Sequence, residues 1–97
     1  MAQIPINGKD GKPILYAYIQ DEELRLEYEV YGHGPDRRDQ ETIYSVKPSE
    51  YESIAGEYGG SATDILATME YISASGRGEE FSKALDSGEI ERDKFVW

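Results

Sequence analysis

Leu24 to Tyr31 reads Leu-Arg-Leu-Glu-Tyr-Glu-Val-Tyr, and this strict alternation constrains the chain more than any other stretch. Leu24, Leu26, Tyr28 and Val30 fall on one side, and Arg25, Glu27, Glu29 and Tyr31 on the other. That is the period of a strand with one buried and one wet face. The preceding run, Ile14 to Gln20, is a second strand, and the two form a β-hairpin. A loop centred on Asp21 and Glu22 sets Ile19 against Leu24, Ala17 against Leu26 and Leu15 against Tyr28, so both apolar rows share a side. The other side then carries Tyr16, Tyr18, Arg25, Glu27, Glu29 and Tyr31.

The rest of the chain supplies something to cover the apolar side. Ile4 and Ile6 suit a short edge strand, since Pro5 excludes a central one, and Asn7 to Pro13 is a dense turn cluster. Gly32 to Gln40 is a loop by local chemistry. Glu41 to Val46 alternates again, with Thr42, Tyr44 and Val46 on one side and Ile43 and Ser45 on the other. From Pro48 the period changes to that of a helix. Ser49 to Glu52 has the spacing of a capping box, Tyr51, Ile54, Ala55 and Tyr58 form one apolar stripe, and Gly59-Gly60 stops it. A second helix follows, capped by Ser61 or Thr63, with Ile65, Leu66, Met69 and Ile72 as its buried face and an end near Ser75-Gly76. Glu79 to Leu85 gives one or two further turns anchored by Phe81 and Leu85, closed by Asp86-Ser87-Gly88. The tail is charged and then aromatic, and Phe95 or Trp97, or both, are expected to dock on the domain.

This order predicts an α+β fold: an antiparallel meander sheet of three to four strands, followed by two to three helices packed on one face. The 97 residues suffice for one domain. Residues 1–46 form its strand-rich half, and residues 47–97 its helix-rich half with a C-terminal aromatic tail. There is no cysteine, which excludes disulfides and thiolate metal sites and favours a reducing compartment. The N-terminal stretch has no apolar signal core, and no window approaches the roughly 18 apolar residues of a membrane span. A cytoplasmic protein is expected.

Net charge is −10. Residues 1–48 hold six basic against nine acidic side chains, and residues 49–97 hold four against eleven. Such a surface repels phosphate backbones and anionic lipid and attracts basic proteins. Nucleic acid and membrane are disfavoured as partners.

Catalytic chemistry finds little support. One histidine, His33, sits between glycines in a loop, and without cysteine or a Gly-x-Ser-x-Gly elbow the usual nucleophilic triads are excluded. Glu27 and Glu29 stand about 7 Å apart on one strand face, a spacing inverting glycosidases use. A chain this short has little material for the deep cleft such enzymes need, and both read as solvated carboxylates. Asp36, Asp39 and Asp10 lack the spacing of a calcium loop, and Asn7 to Lys12 lacks the ending of a phosphate loop. No metal and no cofactor are expected. Surface recognition remains: tyrosine beside carboxylate suits a partner rich in Lys and Arg. From sheet geometry the candidate binding residues are Tyr16, Tyr18, Glu27, Glu29 and Tyr31.

The junction Val46-Lys47-Pro48-Ser49-Glu50-Tyr51, the Ile54-Ala55 to Tyr58-Gly59-Gly60 ending, and the closing Gly78-Glu79-Glu80-Phe81, Leu85-Asp86 and Phe95-Val96-Trp97 segments carry a resemblance. In style and order the chain resembles the small acidic immunity proteins that bacteria make against their own polymorphic or contact-dependent toxins. The resemblance implies a cytosolic, non-enzymatic inhibitor that binds a toxin domain, often a basic nuclease, and blocks it by protein contact. It carries over no individual site residue. The competing reading is a structural or regulatory interaction module or a small subunit of a larger assembly.

Overall fold

Asp21 and Glu22 both take positive φ, 53° and 66°, and close the central hairpin in two residues. This turn of the primed type matches the right-handed twist of the strands it joins. It fixes the register expected from the alternation, with Ile19 opposite Leu24 and Ala17 opposite Leu26. In this computed structural model the described residues are 3–30 and 40–96, the side chains of 29, 30, 40 and 41 excepted. The sheet has five antiparallel strands in sequence order: β1 (Ile4–Asn7), β2 (Pro13–Gln20), β3 (Glu23–Val30), β4 (Gln40–Val46) and β5 (Asp93–Val96). The fold is α+β as the pattern predicts, with one strand more than three to four. That strand is the tail.

Alternation decides the faces. Ile6, Leu15, Ala17, Leu24, Leu26, Tyr44 and Val46 are at most 1 % exposed and merge with Ile54, Tyr58, Ile65, Met69, Ile72, Phe81 and Leu85 into one core. The second group comes from the helices α1 (Tyr51–Tyr58), α2 (Ile65–Ala74) and α3 (Gly78–Ser87), which therefore all lie on the Leu24/Leu26 side. Removing one of these side chains, Leu26 for example, would cost roughly 2–5 kcal/mol.

Three local expectations differ from the structure. The Ser49 capping box does not form: Pro48–Glu50 is a 3-10 turn, and Glu50 caps α1 without a side-chain bond. The carbonyls of Lys47 and Pro48 take the N–H groups of Glu50 and Tyr51, so backbone rather than the Ser49 hydroxyl satisfies these first donors. Asp64, rather than Ser61 or Thr63, caps α2 by accepting from the Ala67 N–H at 3.2 Å. Ser61 and Thr63 are bonded to each other instead, hydroxyl to hydroxyl at 2.7 Å. On α2, Leu66 is only half-buried while Thr68 is fully buried. Thr68 Oγ1 accepts from the Ser61 N–H at 2.9 Å and donates to the Ser61 carbonyl at 3.0 Å, which satisfies the polar group that the core would otherwise penalise.

Of the two tail aromatics expected to dock, singly or together, Phe95 does not. Phe95 and Val96 remain 47 % and 52 % exposed, and the segment is held by backbone pairing to β4, with Phe95 opposite Ile43. The ladder supplies hydrogen bonds to a whole strand, whereas docking a ring on the core would need space that the helices already fill. The expectation for Trp97 lies outside the described residues.

The hairpin turn yields a prediction. A left-handed conformation costs a non-glycine residue roughly 1–2 kcal/mol, part of which glycine recovers. Glu22→Gly should raise the free energy of unfolding in urea by about 0.5–1 kcal/mol. Glu22→Gln, which removes the charge but keeps the Cβ, should change it by less.

Candidate functional site

The face opposite the core is built by the residues that alternate with it. Consecutive register pairs place Pro5, Tyr16, Glu27, Ile43 and Phe95 in one row across all five strands. Four strand spacings make that row about 19 Å long. Tyr16 near one end and Phe95 at the other are 41 % and 47 % exposed, while Glu27 and Ile43 between them are half-buried. The helices contribute nothing here, because they pack on the other side.

The next row is different. Tyr18, Arg25, Ser45 and Asp93 are consecutive partners, yet Tyr18 is only 9 % exposed and Ser45 2 %. Tyr18 was expected on the wet face and does lie on it, but it is covered. Its cross-strand partner Arg25 is itself only 21 % exposed along the side chain, and two long side chains facing each other shield one another from water. Arg25 Nη2 lies 3.9 Å from Asp21 and 4.0 Å from Glu23, and the Ser45 hydroxyl donates to Glu23. This row is therefore a polar support, and the Tyr16 row is the part that meets solvent.

Of the five residues singled out from the sequence, the structure brings Tyr16 and Glu27 side by side as direct cross-strand partners and buries Tyr18. Glu29 lies on β3 opposite Glu41 in register, with its side chain outside the described residues. Tyr31 lies outside them altogether. Two members of the row were missed as site residues. Ile43 had been placed on this side by parity but not recognised as part of a site, and Phe95 could be found only by seeing that the tail is a fifth strand.

A polar clamp secures that strand. Arg92 donates from Nε to the Leu85 carbonyl at 2.8 Å and from Nη2 to the Asp86 carbonyl at 3.1 Å, tying the C-terminal end of α3 to the start of β5. Asp86 accepts from the Tyr44 phenol at 3.0 Å and from Lys94 Nζ at 3.2 Å. Those two bonds, Lys94 first, hold the Asp86 carboxyl below the usual carboxylate range. Burial, and then the bond to Asp86, push the Tyr44 phenol well above its ordinary value.

Two concavities lie elsewhere. A groove of about 790 Å³ runs between α3 and the sheet, with Ile14, Tyr28 and Tyr44 in its wall. A cleft of about 440 Å³ between α1 and α3 is rimmed by Glu50, Glu57, Glu80 and Glu89 over Ile54 and Tyr58. Arg77 already serves that cleft: it pairs with Glu57 and Glu80 and sits 4.4 Å from the centre of the Tyr58 ring. Among the described residues no group of three or more His, Cys, Asp or Glu is placed to hold a metal, and no helix is long and apolar enough to cross a membrane.

No family model matches this sequence, and comparison with curated proteins and with solved structures gave no significant match.

The buried phenols give the fold a predictable pH dependence. Tyr44, Tyr51 and Tyr58 are all raised, chiefly by burial. A folded pKa above the unfolded value of about 10 gives stability that is fully present below that pH and lost as pH rises through the folded value. Asp86, being lowered, acts in the opposite direction: its contribution is present above about pH 3.9 and lost as pH falls further. Urea midpoints measured from pH 9 to 11.5 should therefore fall, and Tyr44→Phe should show a shallower alkaline fall than the parent chain.

Proposed function

We propose that this chain is a non-enzymatic binding protein of the immunity or inhibitor kind, which neutralises a basic toxin domain, nuclease-type in character, by covering it. The observation that carries this reading is the exposed row: Tyr16 and Phe95, 41 % and 47 % exposed, on one helix-free face with Glu27 and Ile43 between them. Rigid aromatics on a sheet offer contact area at low entropic cost and dominate the energetics of many interfaces. Their π faces and the neighbouring carboxylate both favour Lys and Arg on the partner.

Charge supports the same direction. With net −10, the chain speeds encounter with a basic domain and slows it with an acidic one. Several of the cations that would oppose this are committed internally. Lys9 pairs with Glu79, Arg77 with Glu57 and Glu80, and Lys94 with Asp86, while Arg92 is spent on α3 carbonyls.

The test is titration calorimetry and stopped-flow association with a purified basic toxin domain encoded beside this chain. Tyr16→Ala and Phe95→Ala should each weaken the complex about tenfold or more, near 1.4 kcal/mol. Association should slow markedly between low and high salt. A complex indifferent to both substitutions removes this face as the interface, and one indifferent to salt favours a structural module over a charge-steered inhibitor.

A further inference from the structure

The sheet has two edges, and the chain treats them differently. On β1, Pro5 has no N–H to offer, the Asn7 N–H is taken by Ser73 Oγ at 3.0 Å, and α3 begins so close that a Cβ at Gly78 would overlap the Asn7 carbonyl oxygen. Proline and helical cover are standard ways of blunting an edge. On β5 neither device is present among the described residues. Asp93, Lys94, Phe95 and Val96 are all exposed, and alternate residues of an edge strand turn their N–H and C=O groups away from the ladder. Lys94, the side chain best suited to guard this edge, is drawn inward to Asp86 at 3.2 Å.

Phe95 and Val96 are two of the four large hydrophobics exposed among the described residues. Being consecutive on a strand, they point to opposite faces of the sheet. A partner lying on either face would cover one of them, whereas a strand added beside β5 flanks both. Glu91 and Asp93, both exposed, make no ion pair among the described residues and stand at the start of the same strand. We infer that β5 is a docking edge for an extended segment of a basic partner, its apolar residues beside Phe95 and Val96 and a Lys or Arg against Asp93 and Glu91. This is strand addition, in which main-chain bonds give affinity and flanking side chains give selectivity. It rests on reading the chain as a binder of basic proteins, and it names how such a protein is held.

The probe is a capped hexapeptide, Lys-Val-Lys-Ile-Arg-Val, titrated into the full-length 15N-labelled chain with amide exchange followed by NMR. Two controls keep the composition and remove one element each: the same peptide N-methylated at alternate residues, which cannot pair as a strand, and Glu-Val-Glu-Ile-Glu-Val. The unmodified basic peptide should slow exchange within residues 93–96 at least about tenfold and bind about tenfold tighter than either control. Val96→Lys, at an exposed position, should weaken it about fivefold or more while the helical amide resonances stay in place. Equal binding of the N-methylated peptide, protection confined to the Tyr16 row, or no binding at millimolar peptide would each overturn the edge. Concentration-dependent protection of residues 93–96 without peptide would also overturn it, by assigning the edge to a second copy. None of these results bears on whether a toxin domain is bound through Tyr16, so the two readings fail separately.

Discussion

Leu15, Ala17, Leu24, Leu26, Tyr44 and Val46 present a nearly continuous apolar surface across three strands, and the rest of the molecule follows from the need to keep it dry. The side-chain period of a strand is two, so burying these residues commits Tyr16, Glu27, Ile43 and Phe95 to the other side. A one-residue slip would exchange the faces, exposing the leucines and burying the carboxylates. Burial of one face thus selects the register, and the register assembles the exposed row proposed as the binding face. The site is a by-product of the core, which is why it needs no dedicated pocket.

The helices that dry this surface are too few to cover the whole sheet. They contact β1 and β2 most closely, and they shut the β1 edge by direct backbone approach at Gly78 and Asn7. The far side is held by polar means instead. Tyr44, Asp86, Arg92 and Lys94 form a small network that fixes the tail to the end of α3. Hydrogen bonds position a strand but do not hide its outer edge. The result is a sheet whose first edge is covered by a helix and whose last edge, among the described residues, is open.

Much of this could be read in the sequence because it depends on periodicity. The hairpin register, the sides of β4, the stripe on α1 and the anchors Phe81 and Leu85 all follow from counting by two or by 3.6. The misses arise where one polar group chooses among several partners. Ser49 fits a capping box, but the chain enters α1 through a 3-10 turn in which the Glu50 and Tyr51 N–H groups bond backbone carbonyls. Ser61 and Thr63 suit a cap, but each finds the other first and leaves the role to Asp64. Thr68 on α2 reads as a surface residue until Ser61 is seen to supply both of its bonds. The tail reads as a docking segment through Phe95 or Trp97, or both, and local composition does not reveal that β4 offers Phe95 an unpaired ladder. Tyr18 illustrates the remaining gap: parity gives its side of the sheet but not its exposure, which depends on Arg25 across the strand.

An acidic surface by itself serves solubility as readily as recognition, so the placement of the cations matters more than the total. Lys9, Arg25, Arg77, Arg92 and Lys94 are all turned toward carboxylates or carbonyls of this chain. Their engagement organises turns, α3 and β5, and it leaves the exposed carboxylates of Glu91 and Asp93 without an ion pair among the described residues. A chain selected only for solubility has no reason to put its two most exposed strand aromatics, Tyr16 and Phe95, in the same row as Glu27. Aromatic area costs solubility and returns nothing unless it is covered. On the proposed reading, long-range attraction brings basic proteins of every kind to this surface. The row of Tyr16, Glu27 and Phe95 is then the feature that would discriminate among them, because it asks for cations at defined positions on a surface flat enough to meet a sheet.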